Sequence, residues 1–151
     1  MISYMSRSVL LMVHILAATI WTGGHLVLAT TVLPRAMRAK DASIVHDFEE
    51  GFEKLGIPAL IAQVITGVWM GLQWFSTAAQ WTDTGNPVAR ALLLKLALLA
   101  VTVALAAHAR LRVLPNLTAE RLRLLAWHII PVTVISTLFV IVGVTLRTGG
   151  I

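Results

Sequence analysis

The chain has 151 residues, 58% of them hydrophobic and only 13% charged, where a soluble domain carries about 25% charged residues. Its mean hydropathy of +0.84 places it among integral membrane proteins, and its net charge of +5 suits basic loops facing anionic lipid headgroups, so no nucleic-acid partner is expected. There is no cysteine, which excludes disulfides, iron–sulfur clusters and thiolate metal sites.

Residues 1–8 carry one Arg, and the apolar run behind them is too long for the core of a cleavable signal, so the first span is expected to stay in the membrane. That span reads 9–33, and three more follow at 56–75, 88–109 and 122–146. Each is close to the roughly 20 residues needed to cross about 30 Å of hydrocarbon. The runs are continuously apolar rather than alternating, which predicts helices and not barrel strands. The expected fold is therefore all-α: one transmembrane domain over 1–151, an up-down-up-down four-helix bundle.

Between the first two spans, Ile44, Val45, Phe48, Phe52 and Leu55 fall on one helical stripe, with Asp47, Glu49, Glu50 and Glu53 largely off it. This predicts a short amphipathic cytoplasmic helix, lying at the interface or running into the second span. The second connection, 76–87, holds Trp81 and a turn, and Trp74, Phe75 and Trp81 read as an outer aromatic belt. The third is a tight turn near Pro115 and Asn116, pairing the last two spans. Eight basic residues (Arg35, Arg38, Lys40, Lys54, Arg110, Arg112, Arg121 and Arg123) flank the first and third connections; Arg7, Arg90 and Arg147 lie on the other side. Positive-inside then places both termini outside the cytoplasm.

Four histidines lie within the spans: His14 and His25 in the first, His108 in the third and His128 in the fourth. An imidazole at bilayer depth must find a protein partner, a proton path or a metal. His14 and His25 are eleven residues apart, which at 100° per residue is the same helix face about 16 Å further on. Trp21 shares that face, and Gly23 and Gly24 beside it leave room for close packing or a flat ligand. Counting from the helix ends, His25, His108 and His128 share one depth near the basic end, whereas His14 belongs to the outer half with Met5, Met12, Met70 and Lys95.

Two ligand chemistries suit these residues. Two of the three inner histidines can supply the axial ligands of a b-type haem, with Gln63 as a supporting hydrogen-bonding partner and Lys95 as a counter-ion for a propionate or substrate carboxylate. Copper is the competing reading, because imidazole suits copper and thioethers select Cu(I); its site draws on His14, Met5, Met12 and Met70, and on the inner histidines. A third reading leaves the histidines as helix bridges in a structural subunit.

The run from His14 through Trp21, Gly23 and Gly24 to His25, with Gly56-Ile57-Pro58, Thr66-Gly67 and Leu94-Lys95-Leu96, resembles the CopD family of bacterial inner-membrane proteins. A more distant likeness is to HemJ-type membrane haem proteins. The CopD resemblance implies copper resistance or uptake and a periplasmic copper carrier as partner; it reaches His14, Trp21, Gly23, Gly24 and Lys95, but not His25, His108 or His128. The HemJ likeness implies haem b. Ligand chemistry favours haem, so the expected function is a CopD-like haem protein in electron transfer or a membrane oxidase reaction, with copper handling as the alternative. A quinone or redox partner, and a second copy of the chain, join the lipid bilayer as expected partners.

Overall fold

In a computed structural model, residues 4–148 are described, with side chains from Ser6 onward. Four helical rods account for them, and among the described residues there is no strand. The rods, Ser6–Ala39, Ser43–Trp74, Pro87–Asn116 and Ala119–Thr148, are each long and apolar enough to cross a membrane. The protein is therefore a multi-pass membrane protein of the expected all-α class.

The first rod is α1 (Tyr4–Val27), a π-helical stretch Leu28–Val32 and α2 (Leu33–Ala39). The third is α5 (Pro87–His108), a π-helical stretch Ala109–Val113 and a 3-10 turn Leu114–Asn116. Each π stretch overlaps or adjoins the turn before a proline, Pro34 or Pro115. Proline has no N–H to donate and its ring crowds the carbonyl four residues back, and a locally widened helix relieves both. His25 and His108 sit just ahead of these two wide turns.

Of the two courses expected for the helix between the first two spans, the structure has the second, running on into the span. Residues 43–55 are the opening turns of α3 (Ser43–Trp74), which runs unbroken through Pro58. Nothing in this segment stops a helix, and its inward residues bury against the bundle: Val45 is fully buried, and Phe48 and Phe52 are half-buried. Leu55 instead faces outward. Lys40, in the left-handed conformation, closes α2, and Asp41 accepts the Ser43 N–H at 2.9 Å to start α3. Those bonds from Ser43 hold the Asp41 carboxyl below the usual carboxylate range.

At the far end, α4 (Ala78–Trp81) opens with a Thr77/Gln80 capping box, and Asn86 caps α5 by accepting the Val88 N–H. Trp74 is exposed, as a belt residue would be. Phe75 and Trp81 are not: Phe75 is buried, its ring packs edge-on to Trp81 at 5.9 Å, and Trp81 lies over Gly71.

α1 packs on α3 and on α6 (Leu122–Thr148), and α6 packs on α5, while the seam between α3 and α5 is much thinner. The tightest core is at the basic end, where Leu28, Leu33, Ala36, Val45, Val113, Leu122 and Leu125 interlock. Just beyond that core all four rods leave a cavity.

Candidate functional site

The cavity, about 140 Å³, is lined by Trp21 and His25 of α1, Glu49, Phe52 and Glu53 of α3, Arg110 after α5, and His128 of α6, among apolar neighbours. His25 is buried, 9% exposed, and its ring is clasped by Trp21 at 4.4 Å and, edge-on, by Phe52 at 5.5 Å. Its Nδ1 lies 2.9 Å from the Trp21 carbonyl. A carbonyl can only accept, so Nδ1 carries the proton and Nε2 keeps a lone pair.

His128 is held the same way: Nδ1–H donates to the Leu124 carbonyl at 2.9 Å, leaving Nε2 as an acceptor. His108 Nδ1 lies 2.8 Å from that Nε2, so His108 donates to it. The two rings are nearly parallel, 9° apart, with centroids at 4.9 Å. His108 faces outward from the bundle, and its Nε2 makes no hydrogen bond to the described residues. One ring is thus pinned by backbone, and the other hangs on it from the adjacent helix.

At the outer level, Thr66 donates its hydroxyl proton to the Ala62 carbonyl at 2.6 Å. Its oxygen therefore accepts from His14 Nδ1–H at 2.9 Å. Gly67 lets this ring approach, since an added Cβ would stand 3.2 Å from His14 Cε1. Lys95 is near enough to act electrostatically on His14, and its Nζ lies over Gly143. His14, His25 and His128 thus share one arrangement, an Nδ1–H tied to oxygen and an Nε2 lone pair, which is how proteins orient imidazoles for ligation.

The placement of the other expected residues is mixed. Trp21 is in the cavity wall. Gly24 is not an open slot: a Cβ there would collide with the Phe52 ring, which already occupies the space, whereas a Cβ on Gly23 would meet nothing within 4 Å. Gln63 serves the outer level, its carbonyl lying 3.3 Å from the Thr66 hydroxyl. Met12 points away from the bundle, Met70 is half-buried, and the Met5 side chain lies outside the described residues. Glu49, Glu53 and Arg110 read in the sequence as solvated or helix-end residues. They line the cavity instead, and Arg110 Nη2 meets Glu53 Oε2 at 2.6 Å across the thin α3–α5 seam. Spacing carries the one available hint, since Val45, Glu49, Phe52 and Gly56 share a face.

Residues 46–146 match the family described as copper resistance protein D, about two thirds of the chain. The chain belongs to the CopD family. The match contains His108, His128 and Lys95, while the His14-to-His25 run lies ahead of it. The HemJ likeness gains nothing from it. No curated protein and no solved structure matches the chain.

The haem expected from ligand chemistry does not fit this CopD chain. Drug-sized ligands need pockets of about 300–1,000 Å³, and a porphyrin is at least that large, against 140 Å³ here. The flat slot beside Gly24 is filled by Phe52. Nor do the described residues bring three or more His, Asp or Glu together around one metal.

Lys95 yields a stability prediction. It is half-buried within α5 and has no ion-pair partner among the described residues. Removing a charge from that depth relieves a cost, so Lys95→Met is expected to raise the melting temperature of the detergent-purified protein. A melting temperature that falls would show that the ammonium makes a favourable contact.

Proposed function

We propose that this chain handles copper in the bacterial inner membrane, binding Cu(I) between His108 and His128. The observation that carries the reading is the direct ring-to-ring bond between two intramembrane histidines, one of them oriented by a backbone carbonyl. Cu(I) accepts two nitrogen ligands in near-linear geometry, which suits a site with no third donor in place among the described residues. Metal–imidazole bonds of about 2.0–2.1 Å require the two nitrogens, now 2.8 Å apart, to separate. The exposed and otherwise unbonded His108 ring is the partner free to move. As copper takes its place, the proton on His108 Nδ1 is given up and Nε2, which makes no hydrogen bond to the described residues, takes one up, so both ligands remain neutral imidazoles. CopD membership supports copper as the cargo.

The test is metal binding by the purified chain. Competition with a Cu(I) chelator is expected to give one Cu(I) per chain in a colourless protein. A sharp Soret band, with protohaem in a pyridine extract and no bound copper, would overturn the reading in favour of haem.

The same reading includes orientation: the basic connections face the cytoplasm and both termini the periplasm, on the eight-to-three division of Lys and Arg. A reporter active only in the periplasm, fused after Ile151, is expected to be active. Activity from a cytoplasm-only reporter at that position would reverse the orientation.

A further inference from the structure

Two acceptors line the inner cavity, His25 Nε2 and the Glu49 carboxylate, and neither makes a hydrogen bond to the described residues. His25 is more than nine-tenths buried and lines the cavity; its Nδ1 proton is committed to Trp21, and its Nε2 has no partner among the described residues. Glu49 lines the same cavity from α3. Its neighbour Glu53 is neutralised by Arg110, but Glu49 itself makes no hydrogen bond or ion pair to the described residues. A nitrogen lone pair and a carboxylate on the lining of one cavity both favour a cation, and the Arg110 guanidinium that acts on Glu49 from the same lining is already committed to Glu53.

We propose that His25 Nε2 and the Glu49 carboxylate form a second cation site, distinct from the His108–His128 pair, that takes a divalent ion of borderline softness. The donor set sets the class. One imidazole with one carboxylate suits Zn²⁺-like ions, whereas Mg²⁺ and Ca²⁺ call for oxygen alone and the hard carboxylate disfavours Cu(I). Size agrees: 140 Å³ holds an ion and a few waters at about 30 Å³ each, so water completes the coordination. Charge agrees as well, since Glu49, Glu53 and Arg110 together leave one net negative charge facing the space. The Glu53–Arg110 pair closes the wall on the α3–α5 side.

The experiment titrates Zn²⁺ into the detergent-purified full chain, with Mg²⁺ as control, and measures Cu(I) affinity in parallel. Glu49→Gln is expected to weaken Zn²⁺ by about tenfold or more, the lower limit being what loss of even an outer-shell partner costs, with Cu(I) affinity unchanged. Mg²⁺ should not compete. His25→Ala should abolish the site, and because that buried ring also packs on Trp21 and Phe52, the conservative Glu49→Gln is the deciding variant if His25→Ala fails to fold. A Zn²⁺ isotherm unaltered by Glu49→Gln, or one lost together with Cu(I) on His108→Ala, would overturn the second site. A chain that binds no Cu(I) yet loses Zn²⁺ on Glu49→Gln would overturn the copper reading alone.

Discussion

His128→Ala is expected to lower Cu(I) affinity by about 100-fold or more. Loss of a residue that merely orients a ligand costs roughly 10–100-fold, and His128 is proposed as a ligand in its own right. It is also the pinned member of the pair, anchored through Nδ1 to the Leu124 carbonyl, so its loss leaves His108 with neither a partner ligand nor an anchor. His108→Ala should weaken binding to a similar degree. His14→Ala should leave Cu(I) affinity unchanged, because His14 bonds Thr66 at the other level. The check is chelator competition on all three purified variants beside a thermal melt. His128 is only half-buried, so the fold should survive, and wild-type affinity in both His108→Ala and His128→Ala would remove the pair from copper handling.

Gly24→Val should be the most damaging single change to the fold, and its neighbour Gly23→Ala one of the mildest. The Gly24 backbone lies directly under the Phe52 ring, and that ring also lies 2.9 Å from where a Cβ on Gly56 would stand. Phe52 is therefore locked between α1 and α3 by two glycines and by His25. A side chain at Gly24 must expel it or part the helices, and overpacking of this kind costs about 1–3 kcal/mol or more. Gly23 meets open space, and in a helix Ala is favoured over Gly by about 1 kcal/mol. Melting in detergent should show Gly24→Val unfolding well below wild type and Gly23→Ala at or above it. Combining Gly24→Val with Phe52→Ala should restore part of the loss, since the collision then has no partner. Equal melting temperatures for Gly24→Val and wild type would mean that Phe52 does not occupy this space.

Much of the architecture was legible in the chain. Four continuous apolar runs predict four spans, because a bilayer leaves a backbone only the choice of helix or closed barrel, and each helix begins ahead of its run, the second ending at Trp74, one residue short of it. The co-facial placement of His14, Trp21 and His25 follows from helical period, and Trp21 and His25 do meet at 4.4 Å. The partner of each histidine was less legible. His25 and His128 line one cavity and His108 reaches His128, as equal depth suggested. His14, however, turned to Thr66, and the methionine set did not gather around it: Met12 faces away.

By itself, the sequence determined membrane class, helix number, the level of each histidine and, through the matched stretch 46–146, the family. Only the tertiary structure decided how each helix is rotated about its axis. In a soluble bundle the apolar stripe reports that rotation, but here lipid and bundle interior are equally apolar, and no stripe separates them. Glu49 and Glu53 thus read as a solvated face yet line the cavity, and Gly24 reads as an open slot yet is filled by Phe52. The ring-to-ring bond of His108 and His128 needs two helices in one register, and that depends on how the rods pack against each other, a property no single helix carries.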